Sequence, residues 1–232
     1  MTPGPAAHRS ADRGEPAAPA AADPTRPRRH DPQRRERLID VALGVIAEHG
    51  VAGTTHRRIA AAADVPLGSM TYHFDGMDDL LHAAFTVLAE RTADVFDATL
   101  SAASSRQDAG EAVVGLITGT TLTSPETMLA SLELYALAAR RPEFRTITDA
   151  WMARSRAALG AHFPPEVAAQ LDALVEGLTL HRALSLQTPG SGDTADTAAV
   201  ARAVERVTAG VPETGRSGGR LRRPRWGRDG GA

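Results

Sequence analysis

The sequence contains no cysteine and no lysine, and only 4% of its 232 residues are aromatic. Without cysteine there is no disulfide, no thiolate nucleophile and no cysteine-ligated zinc. With so few aromatic rings, a core must be built mainly from Ala, Leu and Val, a helix-favouring palette. No apolar run approaches the roughly 18 residues that cross a bilayer. The first residues carry no continuous apolar stretch after their arginines, so a secretory leader is not expected. These absences predict a cytoplasmic protein with no membrane partner. Nucleophile elbow, phosphate loop and metal-spaced cluster are likewise missing, so neither an enzyme nor a cofactor or metal site is expected.

What is present is unevenly distributed. The formal net charge is only −2. Residues 1–35 nevertheless hold seven arginines against four acids, and residues 214–232 hold six against one. Residues 1–31 and 212–232 are rich in Pro, Gly, Ala and Arg and poor in large apolar side chains. Such segments cannot bury enough surface to offset their ordering entropy, so both are predicted to be disordered. Their arginines suit either plain solvation or a non-specific attraction to a polyanion.

Between these ends the pattern is helical throughout, with no period-2 alternation. Leu38, Ile39, Ala42, Val45 and Ile46 mark one face of a first helix that closes near Gly50. Thr55 is placed to cap a short second helix whose Ile59, Ala60 and Ala63 point inward. Asp64-Val65 breaks the chain before a third short helix, which opens near Pro66. A long fourth helix follows Phe74, with Asp75 as its expected cap and Asp78 and Asp79 at its positive end. Further helices are predicted over 109–122, 125–140, 143–161, 165–187 and 194–209, about nine in all, giving an all-α fold.

The stretch "PLGSMTYHF", residues 66–74, crowds small and hydrogen-bonding side chains onto the third helix. Gly68 and Ser69 permit close backbone approach, while Thr71, Tyr72 and His73 offer hydroxyl and imidazole groups. Thr55, His56 and Arg57 open the preceding helix, whose terminal amides favour a phosphate. Two short helices so furnished form a helix-turn-helix whose second member can enter a DNA major groove. Each of these residues has a plainer alternative: the Tyr72 ring could pack inward, and Arg57 could be a solvated charge.

The run "RRERLIDVALGVIAEHGVAGTTHRRIAAAADVPLGSMTYHFDGMDDLL" resembles the DNA-binding domain of the tetracycline-repressor (TetR) family over roughly residues 33–82. The anchors are "EHG", the "TT…IA..A.V" run, "GSMTYHF" and the acidic-leucine start of the next helix. The resemblance implies an all-helical homodimeric repressor that binds operator DNA through its first three helices and a small-molecule effector through the rest. By position it places His56 and Arg57 at the second helix and Leu67 to Thr71 with His73 on the recognition helix. Two positions depart from the pattern. Thr71 stands where the family commonly has tyrosine, and Met77 stands where it commonly has a phosphate-binding lysine. Residues 37–78 hold three arginines against five acids, so DNA affinity is expected to lean on Arg34, Arg35, the N-terminal arm and backbone amides.

The expected organisation is therefore an arm at 1–31, a DNA-binding domain at 32–78, an effector and dimerisation domain at 79–211, and a basic tail at 212–232. Phe96, Met128, Leu132, Tyr135, Trp151 and His181 are candidates for lining an effector cavity, with ordinary core packing the alternative for each. Leu171, Leu174, Gly177 and Leu178 on one helix, with Val200 and Val204 on the last, are candidates for a four-helix interface between two copies. Closing a bundle within one subunit is the alternative. An architectural DNA-binding or adaptor protein without an effector is the competing functional class.

Overall fold

The computed structural model describes residues 33–119, 122, 124–185 and 193–209. The predicted arm and basic tail lie outside the described residues. Among those described there are nine helices and no strand. None of these helices is long and apolar enough to cross a membrane.

Helix α1, Arg34–Gly53, buries Leu38, Ile39, Ala42, Val45 and Ile46. Its regular course is interrupted at Gly50, which has φ of 68°. A Cβ there would sit 3.0 Å from Glu133 Oε1 as well as adopting a strained φ. One more turn carries the chain to Gly53, past the expected end. Helix α2, His56–Ala62, is capped as expected: the Thr55 side chain accepts from the Arg58 N–H at 3.2 Å. Helix α3, Gly68–His73, is only six residues long and sinks Met70 completely. Phe74, 3% exposed, takes extended backbone angles and ends it.

Helix α4, Met77–Ser101, is the longest element. Its predicted cap is corrected. Gly76, not Asp75, occupies the capping position, with φ of 145°. The carboxylate that serves this turn is that of Asp79, which accepts from the Asp75 N–H at 3.1 Å. The remaining helices are α5 (Arg106–Thr118), α6 (Pro125–Ala138), α7 (Pro142–Gly160), α8 (Pro165–Ser185) and α9 (Asp193–Thr208). Local chemistry sets their starts. Ser105 and Asp108 form a reciprocal capping box for α5, and Ser124 caps α6 with Pro125 in its first turn.

Two apolar cores hold the helices together. The first joins α1, α2, α3 and the start of α4 to Ala130, Leu134 and Ala138 of α6 and to Phe144 and Ile147 of α7. The second joins Phe96 and Leu100 at the far end of α4 to α5, α8 and α9. The first core thus runs straight across residues 78 and 79. Helices α1–α3 are packed onto α6 and α7 rather than hung from α4 alone.

Polar links reinforce this junction. Arg141 donates to both carboxylate oxygens of Asp78 at 2.9 Å and to Glu143, and its guanidinium lies 4.8 Å from the Phe144 ring centroid. The bonds from Arg141 hold the Asp78 carboxyl below its ordinary value of 3.8. Because that pKa is depressed on folding, its contribution is present above pH 3.8 and is lost as pH falls through the folded value. Asp78→Asn should therefore melt slightly below the parent near neutral pH, with the gap closing as the pH falls below 3.8 and the folded carboxyl takes up its proton. A gap that persists unchanged in acid would mean that the ion pair is not its source.

Candidate nucleic-acid interface and effector cavity

The α2–α3 pair presents one outward face. Met70 and Phe74 anchor α3 inward, and this turns Leu67, Gly68, Thr71 and Tyr72 outward. Leu67 is 47% exposed and Tyr72 74% exposed, so both large side chains stand uncovered by the rest of the subunit. Gly68 has nothing within 4 Å of where a Cβ would stand, so internal packing does not require glycine there. The Thr71 hydroxyl donates to the Gly68 carbonyl at 3.2 Å, and the Tyr72 ring meets His73 edge-on at 4.8 Å between centroids. Ser69 and His73 are half-buried on the flanks of this face.

The supporting residues divide. Arg57 is exposed at the start of α2, beside the capping Thr55. His56 is half-buried, and among the described residues its Nε2 has no hydrogen-bond partner. Arg35 stacks its guanidinium 5.2 Å from the Phe74 ring centroid, which brings a cation to the end of α3. Arg34 is half-buried on α1. Tyr72→Ala should weaken DNA binding about tenfold and leave the melting temperature within a degree or so, since an exposed ring carries little fold stability. A fall in melting temperature with unchanged DNA affinity would mark the ring as structural.

A second site lies between α4, α6, α7 and α8. It is a cavity of about 130 Å³, open at one side. Phe96, Met128, Leu132, Tyr135 and Trp151, all singled out in the sequence, line it. Tyr135 and Trp151 stack with ring centroids 5.9 Å apart and planes within 9°. His181 does not line it. That side chain is exposed, because the cavity-facing positions of α8 are Asp172, Val175, Glu176, Thr179 and Leu180. Those positions follow helical spacing and were readable in principle, but the stripe of leucines beside them gives the stronger pattern. Burial first, and then the nearby Glu176 and Asp172 carboxylates, push the Tyr135 hydroxyl well above the usual tyrosine range. Burial also raises the Asp172 carboxyl, against the opposing pull of Arg156, which bonds it at 2.9 Å.

The expected interface residues are also redistributed. Leu171, Val200 and Val204 are fully buried in the second core of a single subunit, because α9 closes that core against α5 and α8. Leu174 and Leu178 pack half-buried against the same core. Gly177 is different: a Cβ there would meet nothing within 4 Å. It lies on an outward stripe of α8 with Gln170, Ala173, His181 and Leu184, and Leu184 is 52% exposed.

The match to known proteins follows both halves of this layout. Residues 38–84 match the model of bacterial regulatory proteins of the tetR family, and residues 104–210 match that of the tetracyclin repressor-like C-terminal domain. SCO7518 from Streptomyces coelicolor A3(2), described as a candidate transcriptional regulator, is 47% identical. Its alignment spans 77% of this chain and 99% of that one, with a TM-score of 0.67. The chain belongs to the TetR family of transcriptional regulators.

Other TetR-family relatives agree. The multidrug binding protein EbrR, solved with ethidium, is 34% identical over 77% of this chain and 99% of its own, with a TM-score of 0.60. The transcriptional regulator BetI of Agrobacterium fabrum is 30% identical over 66% of this chain and 79% of its length. The N-terminal match takes in most of α1 and all of α2 and α3, and the C-terminal match takes in the cavity walls on α6, α7 and α8.

Proposed function

We propose that this TetR-family protein is a homodimeric repressor that binds a palindromic operator and is released when a small organic molecule enters the α4–α8 cavity. As a reader of chromosomal DNA it acts in the cytoplasm. The observation that carries the reading is the outward face of α3. A six-residue helix spends Met70 on the core and leaves Leu67, Gly68, Thr71 and Tyr72 uncovered. That face is shaped for a groove, with Arg35 and Arg57 at its edges to meet phosphates. The ethidium complex of EbrR supports a cavity of this kind holding an organic effector.

Two routes couple cavity to reading head. Helix α4 contributes Phe96 to the cavity and ends, at Met77, just past α3. Helix α6 offers a shorter one. Leu132 and Tyr135 line the cavity, while Glu133 between them accepts from the Val51 N–H at 2.8 Å. A ligand that shifts α6 therefore shifts the turn connecting α1 to α2. It changes DNA affinity only by as much as its own affinities for the two arrangements differ.

Dimerisation uses the outward stripe of α8, with Gly177 allowing close helix approach. Gly177→Leu should leave each subunit as stable as before, since the space is open and leucine favours helix over glycine by roughly 0.8 kcal/mol. In sedimentation velocity the variant should run as a monomer; an unchanged dimer would move the interface elsewhere. The functional reading itself is tested by gel shift on DNA upstream of the protein's own gene, with excess competitor. A discrete complex that survives competitor supports a repressor. Smooth binding of any duplex would favour an architectural role instead.

A further inference from the structure

The chemistry of the cavity walls says more than that a small molecule fits. Two carboxylates, Asp172 and Glu176, line the cavity one helical turn apart on α8, Glu176 at an exposed position on its rim, and among the described residues no basic side chain lines it. The charge of Asp172 is answered by Arg156, whose half-exposed side chain reaches it from outside the lining. Glu176 lies close enough to the Tyr135 hydroxyl, a neutral group, to raise its pKa, and it has no cationic partner among the described residues. The cavity rim therefore carries a negative charge that no described side chain in the lining compensates. An anionic guest would be repelled, and a cationic one would be drawn in.

Two further features narrow the guest. Tyr135 and Trp151 form a parallel pair, a flat π surface that favours a flat ring and, above all, a cationic one. Thr179 lies one turn beyond Glu176 on α8 and is 6% exposed, yet among the described residues its hydroxyl has no hydrogen-bond partner. A buried hydroxyl left unpaired is costly, and a guest bearing a polar group would satisfy it. A metal ion does not suit these walls, and no group of residues able to hold one occurs among the described residues.

We infer that the effector is a planar aromatic cation with a hydrogen-bonding substituent, stacked on the Tyr135–Trp151 pair, balanced by Glu176 and hydrogen-bonded to Thr179. This rests on the cavity being the effector site, but its test needs no DNA, so its failure would leave the operator-binding reading standing.

The test is isothermal titration of the full chain with three tricyclic probes of matched shape. These are cationic proflavin, neutral acridine and anionic anthracene-9-carboxylate, at a pH where each holds that charge. Proflavin should bind once per chain and at least tenfold more tightly than acridine, with anthracene-9-carboxylate weakest. Glu176→Gln keeps the side-chain shape, and should weaken proflavin about fivefold while leaving acridine unchanged. Thr179→Val, nearly isosteric, should also weaken proflavin. Circular dichroism confirms that both variants are folded. Equal affinity for proflavin and acridine, a preference for the anion, no binding by any probe, or a Glu176→Gln variant that binds proflavin as before would each overturn the assignment.

Discussion

Replacing Gly68 with glutamate is expected to lower affinity for operator DNA on the order of a hundredfold while leaving the melting temperature of the free protein unchanged. The two halves of this expectation come from different observations. Within the subunit, a Cβ at Gly68 meets no heavy atom within 4 Å, and the residue is exposed at the start of α3. The fold therefore gains an ordinary surface side chain, for which changes within about 0.5 kcal/mol are the rule. Against DNA the same side chain brings bulk and a negative charge to the face that must press closest to phosphates. Like charges forced together across an interface cost several kcal/mol. Gly68→Ala separates the two contributions, since it adds the Cβ without the charge and should lose far less. The pairing of a large binding defect with an intact fold is what a structural role for Gly68 cannot produce.

Phe144→Ala is expected to cost 3–5 kcal/mol of stability, roughly 10–15 °C in melting temperature for a chain of this size. Phe144 is 1% exposed and meets Phe85, itself fully buried, edge-on at 6.1 Å. Arg141 covers its ring and bonds Asp78 at the start of α4. Deleting the ring leaves a cavity where α7 seats on α4 and takes away the surface under the Arg141 guanidinium. The effect should reach the reading head, because Phe144 belongs to the same apolar core as Met70 and Phe74. Thermal unfolding monitored by circular dichroism measures it. A loss below about 1 kcal/mol would mean that the junction between α4 and α7 is loosely packed.

Much of this arrangement could be read directly from residue types. Thr55 caps α2 because its hydroxyl stands three residues before a free backbone N–H, while the neighbouring Thr54 hydroxyl donates to the Gly50 carbonyl. Ile59 and Phe74 are buried as their apolar side chains suggest, but Leu67 in the same stretch is exposed, so apolarity alone does not decide which way α3 turns. The Asp75 cap fails for a reason the sequence hides. Gly76 adopts a backbone angle that turns the chain away, and Asp79 reaches back to the vacated N–H.

The interface residues show a different limit. An apolar stripe states that a face is covered, but not by what. On α9, Val200 and Val204 look like half of an intersubunit bundle, yet they close the subunit's own second core. On α8, leucines occur on more than one face, so His181 reads as a cavity residue beside Leu174 and Leu178 when it is exposed on the outer stripe. The residues that give the cavity its chemistry, Glu176 and Thr179, are polar and carry no hydrophobic signal at all. Only the packing of α8 against α6 and α7 reveals which way they face.

The central claim is that α3 lies in the major groove and that two copies set its reach. Hydroxyl-radical footprinting of the purified protein on DNA upstream of its own gene tests this most directly. Two protected half-sites related by a palindrome, centred about 34–36 Å apart or a whole-turn multiple of that, are the predicted result. A single isolated patch, or uniform protection with no half-site spacing, would contradict the account.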